Sequence, residues 1–128
     1  MGQQQLLLIV LGVIIVGIAV VVGINVFTAS STSSNRDAVI SDLTNLASMA
    51  QTFYRKPTAL GGGNNTFTGW DVPAQLDTTG NGTYSASVAA QAVTLTGLGN
   101  QTGNDGSAKV KVTMIVGPNT ITSTTVNN

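Results

Sequence analysis

The chain has 128 residues, with five basic and five acidic side chains, no histidine and no cysteine, a length that suits one small domain. Without His or Cys it lacks the commonest catalytic bases, thiol nucleophiles and disulfides, and a neutral, charge-poor chain carries no electrostatic footprint for nucleic acid. We therefore expect neither an enzyme nor a nucleic-acid-binding protein, and we expect no cofactor and no metal.

An uninterrupted apolar run lies near the start of the chain. Residues 6–24 include no charged or polar side chain, and a helix of that length spans about 28 Å, close to the hydrocarbon thickness of a bilayer. Three interpretations stay open: a cleaved secretory signal, a single-span anchor, or a membrane helix that later forms the core of a polymer. A secretory signal has a basic region before a shorter apolar stretch, and no Lys or Arg precedes this one. We predict that residues 1–27 form an apolar membrane or filament-core helix.

A polar stretch at residues 28–35, "TASSTSSN", follows and predicts a joint, either a flexible break or a weakly helical segment. Apolar side chains then recur at helical spacing through residues 36–56, which predicts an amphipathic helix that needs a sheet to cover it. Acidic residues near its start and basic residues in its last turn suit the helix dipole, and Pro57 stops it. The apolar positions of this helix are Val39, Ile40, Leu43, Leu46, Ala47, Ala50, Phe53 and Tyr54.

Residues 57–82 are predicted to form a long glycine-rich loop. Its "GGGNN" is not a phosphate-binding loop, because no strand precedes it and no Lys-Ser/Thr pair follows. Trp70 is the only tryptophan of the chain. We expect it either to plug the core under this loop or to present an exposed stacking surface.

From residue 83 onward the period of the sequence changes to two. The segments "TYSASV", "AVTLTGL", "KVKVTMIV" and "TITSTTV" alternate apolar and polar side chains, the pattern of strands with one buried and one wet face. The "GPN" at residues 117–119 predicts a tight turn between the last two segments. We therefore expect an antiparallel sheet of three or four strands over residues 83–128, and an α+β head over residues 36–128 in which the amphipathic helix packs on the sheet.

No catalytic set or metal motif is visible in the predicted loops. Asp71, Asp77 and Asp105 lie apart in the sequence, and a loop cation at Asp77 or Asp105 would have fewer acidic ligands than a calcium site uses. Three Asn-x-Ser/Thr sequons are candidate glycosylation sites, with chance matches in an Asn- and Thr-rich chain as the alternative. The sequons begin at Asn64, Asn81 and Asn100.

The order of these parts resembles that of type IV pilins and pseudopilins. The opening "MGQQQLLLIVLGVIIVGIAVVVGI" and the later "NRDAVISDLTNLASMAQTFYRKPTALGGGNNTF" are similar to bacterial pilin-like proteins, and the likeness is specific only over residues 1–60. The resemblance implies a subunit that waits in the inner membrane, is trimmed by a prepilin peptidase, and is moved by assembly machinery into a homo-oligomeric helical filament at the cell surface. The apolar helices would form the filament core and the sheets its outer wall.

The resemblance also implies roles for residues near the N-terminus. Family members carry a basic leader ending in Gly and a Glu as fifth mature residue, whereas this chain has no Glu. If Met1 or Gln3 begins the mature chain, then Gln5 or Leu7, respectively, takes that position. Gln3, Gln4 and Gln5 would register neighbouring subunits through neutral hydrogen bonds, which are about half as strong as charge-assisted ones. The residues expected to pack in the filament core are Leu6, Leu7, Ile9, Val10, Val13, Ile14, Val16, Val20 and Val21.

Two other functions stay open. A single-span membrane-anchored binding module would present a loop surface around Trp70 and Asp71 to a partner, and it would be a monomer in detergent. A pseudopilin would form only a short periplasmic filament of a secretion system. Filament length and oligomeric state separate these alternatives from a long surface filament.

Overall fold

The computed structural model describes residues 2–128 and contains one long helix and a five-stranded antiparallel sheet, which confirms the predicted α+β class. The sheet has five strands instead of three or four because a two-residue strand in the predicted loop pairs with the start of the next. The elements are α1 (Gly2–Arg55), a 3₁₀ turn (Thr58–Leu60), β1 (Thr78–Thr79), β2 (Gly82–Val88), β3 (Val93–Thr102), β4 (Lys109–Val116) and β5 (Ile121–Val126).

The chain divides into two compact units, here called the apolar segment (residues 2–31) and the head (residues 32–128). The helix α1 contributes to both units, and residues 28–35, the predicted joint, are helical throughout. The hydroxyl of Thr28 donates to the carbonyl of Ile24 at 2.9 Å, an i−4 bond that satisfies the hydroxyl within a helix. Of the two forms expected for the joint, the structure has the helical one.

The sheet is a meander in the order β1-β2-β3-β4-β5, and all neighbouring strands are antiparallel. In β4 the predicted alternation is confirmed, because every second side chain from Val110 onward is buried, whereas Lys109 and Lys111 are exposed. The predicted turn after β4 closes with the amide of Gly117 donating to the carbonyl of Thr120 at 2.8 Å. The buried side chains of β4 are Val110, Val112, Met114 and Val116.

One hydrophobic core joins the helical part of the head to the sheet. Five of the eight predicted apolar helix residues are buried in it, together with Val93 and Leu95 of β3 and the inner face of β4, and the other three pack against it partly buried. Gly97 allows the helix to approach the sheet closely, because a Cβ at that position would lie 2.6 Å from Cγ1 of Val39. The fully buried helix residues are Val39, Leu43, Leu46, Ala47 and Ala50.

The loop after α1 completes the core and caps the helix. Trp70 is 8% exposed, so it plugs the core and does not form a stacking surface. The glycine-rich turn folds back on the helix end, where the amides of Gly63 and Asn65 donate to the carbonyls of Phe53 and Tyr54 at 2.8 and 2.7 Å. Carbonyls in the last turn of a helix lack partners within the helix. The glycine-rich turn supplies those partners.

Leu43 offers a direct test of the core. Its side chain is 0% exposed, and Leu43→Ala leaves a cavity, which should lower the free energy of unfolding by about 2–5 kcal/mol. Leu60→Ala is the matched control, because Leu60 is 66% exposed and surface substitutions change stability by about 0.5 kcal/mol or less. Urea unfolding in mild detergent, followed by the fluorescence of Trp70, measures both variants. Equal losses in the two would contradict this core.

Candidate assembly site

The apolar segment exposes all of its large hydrophobic side chains. From Leu6 to Phe27 these side chains are 52–73% exposed. Among residues 2–128, α1 is the helix that is long and apolar enough to cross a membrane. A helix that is apolar on every side is normally buried in a large core or in a bilayer. The segment is therefore compatible with membrane anchoring.

Transfer of this segment from water into an apolar environment would release a large amount of free energy. Each large aliphatic side chain gains about 1.5–3 kcal/mol on leaving water, so the seventeen large hydrophobic side chains of the segment together amount to tens of kcal/mol. Residues 2–31 include no ionisable side chain. Its apolar run, residues 6–24, can therefore be stabilised only by non-directional burial, against lipid tails or against other protein.

The structure places all nine predicted packing residues in this exposed segment, and each is 53–69% exposed. The sequence prediction missed further side chains that are equally exposed. Six of them lie in the same uninterrupted apolar run, residues 6–24, and could have been found from it, whereas Val26 and Phe27 follow Asn25. The whole circumference is therefore available for contact. The additional residues are Leu8, Leu11, Ile15, Ile18, Val22, Ile24, Val26 and Phe27.

The predicted registration residues form the polar end of the segment. Gln3, Gln4 and Gln5 are helical and exposed, and Leu7, the alternative fifth mature residue, is 69% exposed. A glutamine side chain both donates and accepts hydrogen bonds. These three residues are therefore accessible to neighbouring chains, and their role in registration stays a prediction.

In the head, one carboxylate ties the helix to the sheet. Oδ2 of Asp42 accepts hydrogen bonds from the hydroxyls of Tyr84 and Thr79 and from Nδ2 of Asn81. Burial, followed by the hydrogen bond to Asp42, raises the pKa of the Tyr84 phenol above its usual value, because both favour the neutral hydroxyl. Hydrogen bonds to an ionised acceptor are stronger than neutral ones, so this cluster fixes α1 on the start of the sheet.

A second polar contact lies near the start of the head. Oδ1 of Asn35 accepts from the amides of Asn100 and Gln101 at 3.0 and 3.2 Å, and its Nδ2 donates to the carbonyl of Asn81 at 2.9 Å. Gly99 makes room for this contact, because a Cβ there would lie 2.0 Å from Oδ1 of Asn35. Sequence analysis placed Asn35 in the polar joint and missed this role, since its partners are distant in the sequence.

The three candidate glycosylation sites differ in the surroundings of the side-chain amide. Asn81 is half-buried and its Nδ2 donates to Asp42 at 3.0 Å, while Nδ2 of Asn100 donates to the carbonyl of Gly80 at 2.6 Å. Asn64 is exposed in the loop after α1. Because a glycan is bulky and needs a surface position, Asn81 is the worst placed of the three, whereas Asn64 and Asn100 are both exposed. Glycosylation itself stays a prediction.

The loop carboxylates of Asp105, which was considered for a cation together with Asp77, and of Asp71 make local hydrogen bonds. Oδ1 of Asp105 accepts from the amides of Ser107 and Ala108, both at 2.9 Å, and these bonds, that from Ser107 first, lower the pKa of the Asp105 carboxyl. Oδ1 of Asp71 accepts from the amide of Val72 at 2.7 Å. Within residues 2–128, no three metal-ligating side chains come together. Asp105 therefore organises its own turn.

Comparisons with protein-family models, with curated proteins and with solved structures find no match for this chain. The likeness to type IV pilins therefore stays a prediction based on the pattern of residues 1–60. What can be inferred about function comes from the exposed apolar segment itself.

Tyr84→Phe tests the Asp42 cluster. The substitution removes one hydrogen bond to a carboxylate, and we expect the free energy of unfolding at neutral pH to fall by about 1–3 kcal/mol. Because the pKa of Tyr84 is raised in the folded head, the unfolded chain loses this proton first as the pH rises through about 10. The stability that this group contributes is present below that pH and declines above it.

Urea unfolding at about pH 8 and about pH 11 brackets the tyrosine titration of the unfolded chain. The wild type should lose more stability between the two pH values than Tyr84→Phe loses. Tyr54→Phe is the matched control, since the Tyr54 hydroxyl donates to the exposed side chain of Gln91 at 2.8 Å and its loss should change stability by about 0.5 kcal/mol or less. An identical pH response in the wild type and in Tyr84→Phe would show that the cluster is wrongly described.

Proposed function

We propose that this protein is the structural subunit of a filament of the type IV pilus kind, and that its work is to polymerise. The observation that carries the proposal is the apolar segment, whose large side chains are 52–73% exposed. In the filament the apolar segments of neighbouring subunits form the core, and the sheets form the outer wall. Before assembly the segment lies in the inner membrane, and the assembled filament lies at the cell surface.

A filament core would bury every side of a helix that is apolar around its whole circumference. In a helical array each segment has neighbours all around it, whereas a dimer would cover one side only. Helices in lipid gain little hydrophobic free energy by associating, because lipid tails are as apolar as leucine. Extraction from the membrane is therefore the step that drives the segments together. The prepilin peptidase and assembly machinery that the resemblance implies would supply that step.

Three glycines in the apolar run support close packing between segments. At Gly12, Gly17 and Gly23 an added Cβ would meet no atom within 4 Å, so contacts within this chain do not require glycine there. Each weakens an isolated helix by roughly 1 kcal/mol relative to alanine. Small residues let helices approach one another closely in apolar surroundings. Their presence favours a neighbouring helix over lipid as the final partner.

The polar end and the head also suit a polymer. Gln3, Gln4 and Gln5 would exchange neutral hydrogen bonds with amines or carbonyls of neighbouring subunits, where the pilin family uses a Glu. The five basic and five acidic side chains of the whole chain cancel. Since net charge far from zero keeps proteins apart, a neutral chain allows identical heads to lie side by side in an outer wall.

The rival function, a single-span anchor for a binding module, predicts a binding surface around Trp70 and Asp71. Trp70 is 8% exposed, so it offers little of that surface, whereas Asp71 is exposed. A pseudopilin would share the core packing proposed here and would differ in filament length. Images of sheared surface material separate long from short filaments, and mass spectrometry identifies the first residue of the mature chain.

Val13→Asp tests packing in the filament core. Val13 is 68% exposed in the apolar segment, and a carboxylate there would be buried without a partner in the core, which costs several kcal/mol per subunit. Negative-stain images of sheared cell-surface material should show fibres for the wild type and none for Val13→Asp. The urea midpoint of the head, read from Trp70 fluorescence, should be the same in both.

Two control variants separate packing from other effects of a charge. Leu60→Asp introduces the same charge at a head residue that is 66% exposed and should leave fibres intact, as should the apolar change Val13→Leu. Because an Asp at a helix centre costs about 2.5–3.5 kcal/mol on membrane insertion, membrane fractionation must accompany the images. Fibres from membrane-inserted Val13→Asp would overturn the packing assignment. Wild-type protein that forms no fibres and stays monomeric in detergent would favour the membrane-anchored module.

A further inference from the structure

We propose that the open edge of the sheet, β5, pairs with β5 of a second copy of this chain. Among the described residues, β5 is the last strand of the sheet and pairs with β4 on one side only. All of its side chains are exposed or half-buried, so the core of the head does not include them. This contact uses no residue of the apolar segment and is additional to the proposed filament core.

The register shows which backbone groups face the open edge. The amide of Asn127 donates to the carbonyl of Lys111 at 2.8 Å, which identifies a position hydrogen-bonded to β4. In an antiparallel ladder such positions alternate with positions whose N–H and C=O groups point to the other side. Thr124 and Val126 therefore direct their backbone N–H and C=O groups away from β4.

The strand β5 lacks most of the usual protections of a sheet edge. Natural edge strands are very short, or they carry charges, prolines or bulges. At the other end of the sheet β1 has two residues, whereas β5, "ITSTTV", has six residues without charge, proline or glycine. A bulge at Thr122 interrupts the ladder next to the turn, so the regular stretch is residues 123–127. That stretch is open to another strand.

The same strand of a second copy fits this edge. Antiparallel alignment about a two-fold axis at Thr125 places Thr124 of each copy opposite Val126 of the other, and each of these pairs can exchange two N–H···O=C hydrogen bonds. If β5 carried charges, self-pairing would place identical charges opposite each other, which is destabilising. Threonines that lie opposite each other instead stabilise a pair of strands. The uncharged composition of β5 therefore suits pairing with itself better than pairing with a charged peptide.

A single introduced thiol can report on this contact, because the chain has no cysteine. Thr125→Cys places two thiols across the proposed axis, where the Cα separation of about 4.5 Å in a non-hydrogen-bonded pair allows a disulfide. With full-length protein in mild detergent under mild oxidation, we expect a disulfide-linked dimer. Thr96→Cys is the matched control, because Thr96 lies in β3, which is paired on both sides. It should give several-fold less dimer.

A blocking variant and a measurement on the unmodified chain complete the test. Val126→Pro, added to Thr125→Cys, removes an outward N–H without removing a bond to β4, and it should abolish the dimer without changing the Trp70 unfolding curve. In the wild type, amide exchange of residues 121–127 should slow as protein concentration rises. Absence of the Thr125→Cys dimer, equal cross-linking of the Thr96→Cys control, a dimer that survives Val126→Pro, or exchange independent of concentration would each overturn the proposal.

Discussion

A helix that is apolar around its whole circumference has to be covered, and this requirement dominates the protein. Between Leu6 and Phe27 the large side chains are 52–73% exposed. Burying them is worth tens of kcal/mol, more than the net stability of a typical domain, about 5–15 kcal/mol. Lipid tails and other protein are the two surroundings that can bury such a helix.

The requirement on the head is different: it must hold one helix on a small sheet, and it does so without disulfides. Apolar burial around Leu43 supplies the stabilisation, but it is non-directional and does not by itself set the position of the helix on the sheet. Hydrogen bonds have defined geometry, and those of Asp42 and Asn35 reach side chains and amides at the ends of the strands. The polar contacts therefore set the register of helix and sheet, and the core makes that register stable.

The two proposed contacts between copies also divide into one that is non-directional and one that has a defined geometry. Packing of apolar segments would supply most of the free energy of association and little orientation, since every side of the helix is alike. Pairing of β5 edges would supply little free energy and a defined register, because backbone hydrogen bonds fix which residues lie opposite one another.

The sequence by itself determined the apolar segment, the amphipathic helix that ends before Pro57 and the inward side chains of β4, because each is a periodic pattern within a few turns or one strand. Only the tertiary structure decided that the polar joint is helical, that Trp70 is buried and that β1 joins the sheet. It also brought together Asp42 with Tyr84 and Asn35 with Asn100, pairs that are 42 and 65 positions apart. No local periodicity specifies such pairs, because their geometry exists only after the helix has packed on the sheet.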